Sequence, residues 1–549
     1  MTNLRKAINN IPKDFKKRWV WIVLNIFFKA CFNFAGIAAL LAIILLLLSD
    51  QSQQQYIWLY TLVGIIILII KNVAVVFLET RERKFSLSLY KYYSRALLKS
   101  YYSDGYLKIK GKGVYNLNYN INQVCFSFVI CIISPLLRIL GEATLISLII
   151  IGLFIYSPIV TGALLLLFIP IFLLYYYIIR KKMSKYGQLE NKAKSRQWGI
   201  VGDLLKGYPE IEINDAYFAM QDKFETELNN ISKYRIKSTR LSLIPKSLVE
   251  VGMAGSLLIL VLCYNDPSQL KTMLGIFGVC SFKILPGISN LINSWIMIKN
   301  NDYTLEVINE IDPENFTEKK EDIREVIEFK KDIEVKDLWF KYPEDDFYVI
   351  RGLNLNIKKG EILGIQGLSG SGKSTLFNIL LGFYQASKGS ISIDNKSLTL
   401  ENKKSWQTQI GYVPQDVFIM NGTLAENIAL GSAPEEIDIE RVKTILDSVQ
   451  LNSWYKNLEE GTLLSDMTLS GGQKQRIGIA RALYKGAKVV FLDEATSALD
   501  NETEQEVMSV IDDITNKNKD LTLIIIAHRD SSLKICDRII NICTIESQE

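Results

Sequence analysis

Six apolar runs, each near or beyond the length of a bilayer crossing, occupy the first 298 residues of this 549-residue chain and commit them to a bundle of membrane helices. They are approximately Trp19–Leu48, Tyr56–Leu78, Val124–Gly152, Ser157–Ile179, Leu241–Tyr264 and Leu270–Ile298. A helix needs about 20 apolar residues to cross the hydrocarbon core. Several runs are longer, which predicts tilted helices or helices that continue past the bilayer. Residues 328–549 instead mix short apolar runs with charge and read as a soluble domain. The expected fold class is an α-helical polytopic membrane domain plus an α/β P-loop NTPase domain.

The net charge of +5 is concentrated beside the apolar runs. Residues 1–18 form a basic segment of amphipathic character at the membrane surface, where membrane lipid is the expected partner. About six Lys/Arg precede the first run, about nine follow the second and about a dozen follow the fourth. The connections Ser49–Gln55, Phe154–Tyr156 and Asn265–Gln269 carry none. Cationic loops stay on the cytoplasmic side, so both termini and the soluble domain are expected in the cytosol of a multi-pass protein. No recognition motif accompanies these charges, and no nucleic-acid partner is expected. The first run is too long for the apolar core of a cleavable signal and is expected to be retained. The seven cysteines form no CxxC pair, and reduced thiols are expected.

Two cytosolic loops, 80–123 and 180–240, show helical periodicity and are expected to extend the membrane helices. Each breaks near its middle, at Asp104-Gly105 and at Gly207-Tyr208-Pro209, as a hairpin tip would. Residues 19–298 are thus the six-helix domain, 299–327 a charge-rich helical linker, and 328–549 the soluble domain, whose first strand-like run begins at Ile327.

The soluble domain carries recognisable chemistry. The apolar strand Ile362–Gln366 runs into Gly367–Ser374 (GLSGSGKS) and then into a helix-like segment from Thr375. Strand, glycine loop and helix are the context of a phosphate-binding loop. Gly367, Ser369, Gly370, Ser371, Gly372 and Thr375 would bring backbone N–H groups and a helix N-terminus to the phosphates. Lys373 would reach the β- and γ-phosphates, and Ser374 would bind Mg²⁺. A second strand, Val489–Leu492, ends in Asp493-Glu494. Asp493 is placed to hold Mg²⁺ and Glu494 to act as general base toward an attacking water. The only histidine of the chain, His528, follows another apolar run, Leu521–Ala527. An imidazole there can donate to a phosphate oxygen.

The sequence Leu469–Gln473 (LSGGQ) makes the chain resemble ATP-binding cassette (ABC) exporters, specifically half-transporters in which six spans precede one cassette. The resemblance implies ATP and Mg²⁺ as cofactors and two cassettes closing head to tail. Ser470, Gly471, Gly472 and Gln473 of one copy would then cap the γ-phosphate bound by the other. It further implies that Gln415, in Gly411–Gln415 (GYVPQ), touches Mg²⁺ and the membrane half. Asp500, in Ser497–Asp500 (SALD), would lie at the dimer seam, His528 would be the γ-phosphate switch, and Tyr342 would stack on adenine. One departure stands out: Gly461–Thr468 (GTLLSDMT) lacks the Gly-Glu pair usual before LSGGQ. Every catalytic position has the family's residue type, so a homodimer is expected, with a heterodimer as the alternative.

The expected function is ATP-driven export of a peptide or an amphipathic, lipid-linked molecule across a bacterial cytoplasmic membrane. An ATP-gated channel is the competing class. With the first run reached by residue 19, processing of leader peptides is not expected. Ionisable residues inside spans mark candidate cargo contacts. They are Lys29, Lys71, Arg138, Glu142, Lys246, Glu250 and Lys283. Arg138 with Glu142, and Lys246 with Glu250, have the i,i+4 spacing of simple pairs. Lys283 lies on one helical face with Asn290 and Asn293 and, with Lys29 and Lys71, would make a basic cavity suited to anionic cargo.

Overall fold

The computed structural model describes residues 13–47, 57–263, 267–311, 326–343, 345–464, 469–496 and 499–542. It divides into two compact units, Met1–Thr317 and Glu318–Glu549.

The described residues of the first unit form helices and the short turns between them. Its six long elements are α1 (Lys13–Leu47), α2 (Ile57–Ser103), α4 (Val114–Ile155), α5 (Pro158–Lys206), α7 (Tyr217–Cys263) and α8 (Pro267–Asn300). Two short helices, α3 (Tyr106–Lys112) and α6 (Tyr208–Ile213), cap the hairpins. Both breaks fall where the sequence places them. Gly105 takes φ 87°, a left-handed value that a side chain would resist, and the α5 helix stops at Gly207, one residue before Tyr208-Pro209. Among the described residues, α1, α2, α4 and α8 are long and apolar enough to cross a membrane. Their outward faces keep large exposed apolar side chains, including Ile65, Ile69, Val73 and Phe77 on α2. In water such a surface would be unstable; in lipid it is the solvated face.

The helices pack through three described cores, the smallest of them Met183 of α5 with Ile292 and Ile296 of α8; the other two are larger. Ala30 and Ile37 of α1, Leu145, Ile149 and Leu153 of α4, and Phe277 and Cys280 of α8 form one. Leu89, Tyr93 and Leu97 of α2 meet Phe128, Ile132 and Ile133 of α4 in the other. That second core also buries Leu305, Ile308 and Ile311. The start of the expected linker is therefore part of the membrane unit: α8 continues to Asn300, and a short helix, Thr304–Ile308, folds back onto it because three apolar side chains there need cover. Residues 1–12, within the basic segment, lie outside the described residues.

The second unit is an α/β fold. A five-stranded parallel sheet has the order β9–β3–β8–β7–β6, from Arg538–Asn541 (β9), Ile362–Gln366 (β3), Thr522–Ile526 (β8), Val489–Asp493 (β7) and Ile410–Val413 (β6). An antiparallel sheet, β2–β1–β4–β5, comprises Ile350–Lys358, Asp332–Phe340, Lys388–Ile393 and Lys396–Ser397. The first strand begins at Asp332, later than Ile327, because Ile327 and Phe329 are used otherwise. Both are buried, and their N–H groups donate to Ser405 Oγ at 2.9 Å and Gln409 Oε1 at 3.0 Å. The three central strands, β3, β8 and β7, are almost fully buried on both faces, as a doubly covered sheet requires.

Candidate functional site

Ligands of open parallel sheets bind beyond the carboxyl ends of the strands. Here register brings three such ends level: Ile526 pairs with both Ile365 and Asp493. The residues that follow β3, β7 and β8 therefore converge. They are the glycine loop, Asp493-Glu494 and His528.

The glycine loop leads into α9 (Lys373–Leu380). Gly370 and Gly372 take φ 83° and 95°, which turns successive N–H groups toward one side. A Cβ on Gly367 would sit 2.4 Å from the Ile542 carbonyl, so the loop has no room for a side chain there. Ser371 Oγ is buried with no protein partner among the described residues. Lys373 Nζ donates to the carbonyls of Gly367 and Leu368 at 2.8 and 2.9 Å. Burial lowers its pKa, while the charges of Glu494 and Asp493 oppose that shift. Ser374 and Thr375 follow in the first turn, and Thr375 Oγ1 lies 2.9 Å from the Tyr342 hydroxyl. Tyr342 also packs edge-on against Phe340 and Tyr384.

Asp493 ends β7, and its Oδ2 accepts from the Tyr412 hydroxyl at 3.4 Å. Burial, then the adjacent Glu494 charge, pushes its carboxyl above the ordinary value; Tyr412 and Lys373 act the other way. Glu494 has φ 49°, a left-handed conformation that costs a non-glycine residue about 1–3 kcal/mol. Its N–H donates to the Ile526 carbonyl at 3.0 Å, and its Oε1 lies 2.9 Å from His528 Nε2. The strained backbone thus aims a carboxylate across to the strand that carries the histidine.

Two residues that the motif reading missed hold this geometry. Gln475 is buried and donates to the backbone carbonyls of Pro414 and Gln415, at 3.2 and 2.9 Å. It ties the Gln415 loop to α10 (Gly471–Lys485). Glu504 lies on α11 (Asn501–Lys517), almost wholly buried. It accepts from Ser531 at 2.7 Å, from Ser532 at 2.6 Å, and from Arg529, the residue after His528. Ser532 Oγ in turn lies 2.9 Å from Thr496 Oγ1, two residues after Glu494. The ring Glu494–Thr496–Ser532–Glu504–Arg529–His528 is closed through side chains and short backbone steps. The signal was present in the sequence: Glu504 falls on the apolar face of its helix with Val507, Met508 and Ile511, an unusual place for a carboxylate.

Burial acts to raise the Glu504 carboxyl, but the hydrogen bonds from Ser532, Ser531 and Arg529 outweigh it and leave it below its usual value. Its stabilisation is then complete at neutral pH and is lost as pH falls through the carboxylate range. Glu504→Gln is expected to destabilise the protein by about 2 kcal/mol at neutral pH. Melting curves of the variant and the parent should converge in acid; a constant gap would remove the charge from the explanation.

The LSGGQ residues lie elsewhere in the unit. Ser470 caps α10: its Oγ accepts from the Gln473 N–H at 3.2 Å, and Gln473 Oε1 accepts from the Ser470 N–H at 2.9 Å. Gly471 and Gly472 open that helix, and a Cβ on Gly472 would sit 2.3 Å from Thr503 Cγ2. Thr503 bonds Asp500, the N-cap of α11, through both its N–H and its hydroxyl. These bonds hold the Asp500 carboxyl below its ordinary value. Among the described residues, Ser470–Gln473 make no hydrogen bond to Gly367–Thr375; they cluster with Leu499–Thr503. Residues 465–468 and 497–498, parts of the two neighbouring motifs, lie outside the description.

In the membrane unit, one of the two expected i,i+4 pairings, Arg138 with Glu142, gives way to another contact. Lys29 lies 3.2 and 3.3 Å from Glu79 and Glu82 on α2, so its charge is offset and adds nothing to a basic cavity. Among the described residues no hydrogen bond or ion pair joins Arg138 to Glu142; Glu142 accepts from Asn290 on α8 at 2.8 Å. Asn290 therefore does not share a free face with Lys283. Lys71 and Lys283 do meet, on a cavity of about 420 Å³ that Asn33 and Phe282 also line. The Lys246 side chain lies outside the description.

The comparisons with known proteins agree with this arrangement. A family profile described as ABC transporter matches residues 350–497. The chain is 40% identical over 223 residues to an ATP-dependent permease MDL1 from Candida albicans, covering 40% of this chain and 32% of that protein. It is 30% identical over 452 residues to an ATP-dependent lipid A-core flippase from Francisella tularensis subsp. holarctica, covering 78% of this chain and 71% of that one. In the first-ranked matches the alignment spans about a third of the relatives' own length. The structure of a bacterial Atm1-family ABC exporter with ATP bound superposes with a TM-score of 0.79 at 19% identity, over 97% of this chain and 94% of that one, and shares its fold.

Fold and site thus define a multi-pass membrane protein joined to a P-loop nucleotide-binding domain. The chain belongs to the ABC transporter family.

Proposed function

We propose that the protein is a primary active exporter that works as a dimer of two identical copies, in a bacterial cytoplasmic membrane with its cassettes in the cytosol. The observation that carries this reading is the convergence of the glycine loop, Asp493, Glu494 and His528 at the ends of three parallel strands, with the LSGGQ residues held apart from them in the same chain. A site complete on one side and open on the other suits completion by a second copy. ATP would lie with adenine on Tyr342 and phosphates in the loop Gly367–Thr375. Lys373 would leave the loop carbonyls for the phosphates. Ser470–Gln473 of the other copy would close over the γ-phosphate, with Asp500 at the seam.

The oxygen donors present fit Mg²⁺: Ser374, Gln415 and Asp493 are hard ligands of the kind it takes. The ion would neutralise charge developing on the phosphates. Glu494 would accept the proton of the attacking water. In the structure its Oε1 is engaged by His528. A phosphate oxygen competing for His528 Nε2 would free the carboxylate, so the base becomes available only when nucleotide is in place. The ring through Glu504 would keep both groups aligned as this contact is exchanged.

The cargo side is a peptide or an amphipathic, lipid-linked molecule, consistent with the paired cations Lys71 and Lys283 on one cavity. The relatives named as flippases support the lipid-linked option. The test compares inverted membrane vesicles bearing the chain or its Glu494→Gln variant. Mass spectrometry of the vesicle contents should show a compound accumulated only with ATP and only by the parent. ATP-dependent ion conductance without accumulation would favour a gated channel instead.

A further inference from the structure

Helix α10 lies lengthwise along β6 and the loop that follows it, and a series of contacts fastens the two. Lys485 Nζ donates to the Ile410 carbonyl at 2.9 Å. A Cβ on Gly411 would sit 2.4 Å from Ala482 Cβ, and a Cβ on Gly478 would sit 2.9 Å from Val413 Cγ1, so the helix rests flush on the strand. Gln475 Nε2 then donates to the carbonyls of Pro414 and Gln415, at 3.2 and 2.9 Å. As the helix positions descend from 485 to 475, the strand and loop positions rise from 410 to 415. Helix and loop therefore run antiparallel. Beyond Gln475 toward the helix N-terminus come Gln473, Gly472 and Gly471, and then the N-cap Ser470.

Packing alone does not account for Gln475. It is 4% exposed, and its amide group serves two successive backbone carbonyls. Its own Oε1 is buried with no hydrogen-bond partner among the described residues. An apolar side chain of the same length would fill the space without leaving a costly unpaired oxygen. The two bonds to the loop are what an amide supplies there. Arg481, further along the same helix, makes a second tie. Its Nη1 donates to the Phe418 carbonyl at 2.6 Å, while Nε and Nη2 donate to the Asn427 carbonyl and Oδ1 at 2.6 and 2.9 Å. One helix thus holds the segment Pro414–Phe418 at both ends.

The strand leading into that segment is tied to the phosphate side. The Tyr412 hydroxyl donates to Asp493 Oδ2 at 3.4 Å, and Gln415 follows three residues on. Residues 414–420 are neither helix nor strand, and a loop can shift its seat against a sheet. Helix α10, by contrast, is 15 residues of continuous backbone ladder and moves as one piece. From Gln475 to Ser470 is only about 7.5 Å along the axis. A displacement of the Gln415 loop is therefore delivered to the turn that carries Ser470–Gln473. The same stiff element is bonded to the loop of one site and carries the residues assigned to the other, which is the physical condition for coupling between sites.

We propose that Gln475 is a positioning residue that couples the two nucleotide sites of the dimer. When the phosphate loop of one copy holds ATP, Gln415 and its loop shift toward it. Gln475 passes that shift to α10, and Ser470–Gln473 of the same copy are set in place for the nucleotide held by the partner. Occupancy of the first site then raises affinity at the second, and by linkage the reverse holds equally. The proposal rests on the dimer reading, in which each site is completed by the other copy, and it gives the two sites a reason to fill together.

The test measures equilibrium ATP binding by the full chain in nanodiscs, with Mg²⁺ and in the Glu494→Gln background, where turnover does not deplete the ligand. With Gln475 present, the Hill coefficient should be about 1.5 or more, two being the ceiling for two sites. Gln475→Met keeps the length of the side chain and loses both donors. Its Hill coefficient should fall to about 1, with binding at low occupancy unchanged because the phosphate loop is untouched. Gln475→Asn keeps the amide but is too short to serve both carbonyls. It should behave in the same way, and it decides the matter if the methionine variant does not fold. Weaker binding at every occupancy with cooperativity retained is what a merely structural role would give, and it overturns the proposal. So does a folded variant with parental cooperativity. Non-cooperative binding with Gln475 present, alongside nucleotide-dependent cross-linking of Ser369→Cys to Ser470→Cys between copies, overturns the coupling and leaves the dimer reading standing. Absence of that cross-link removes both.

Discussion

Glu494→Gln is expected to lower ATP turnover by about 10²–10⁴-fold while leaving nucleotide affinity near that of the parent. The side chain lies beside the phosphate loop and does not belong to it, and glutamine keeps its shape and its reach to His528. What it loses is the ability to take a proton. The left-handed backbone at φ 49° is a property of the turn and its bond to Ile526, and it survives the substitution. Steady-state ATPase with a nucleotide-binding isotherm checks this. A variant with near-parental turnover would remove Glu494 as the base and leave the strain unexplained.

Lys373→Ala should act at the other step. The ammonium already sits among the loop carbonyls, buried and donating two hydrogen bonds, so its removal costs both charge and local structure. Charge-assisted hydrogen bonds contribute about 1.5–3 kcal/mol each. ATP affinity should fall by about 10- to 100-fold, with turnover at saturating ATP falling as well. Adenosine, which has no phosphates, should bind the two proteins alike. Unchanged ATP affinity would contradict the placement of this lysine on the phosphates.

The two variants separate what sequence shows from what it hides. The strand–loop–helix at Ile362–Leu380 and the strand ending in Asp493 are local, and local pattern suffices to read them. The same holds for the long helices, four of which are apolar enough among the described residues to cross a membrane, and for the hairpin breaks at Gly105 and Gly207. What escaped reading is tertiary. Nothing local says that Lys29 meets Glu79 and Glu82, that Glu142 bonds Asn290, or that residues 304–311 fold back onto the membrane unit. Glu504 and Gln475 were hidden for the same reason: their partners lie 25 to 28 and 60 to 61 residues away in sequence.

The central claim is that the phosphate loop of one copy is completed by the LSGGQ residues of another. Ser369→Cys and Ser470→Cys, combined in the Glu494→Gln background, test it by disulfide formation with ATP and Mg²⁺, each single cysteine variant serving as control for the native thiols. A covalent species of twice the 62.5 kDa chain mass, formed only in the double variant and only with nucleotide, is the predicted result. A cross-link confined to one chain, or dimer formation indifferent to nucleotide, would contradict the claim.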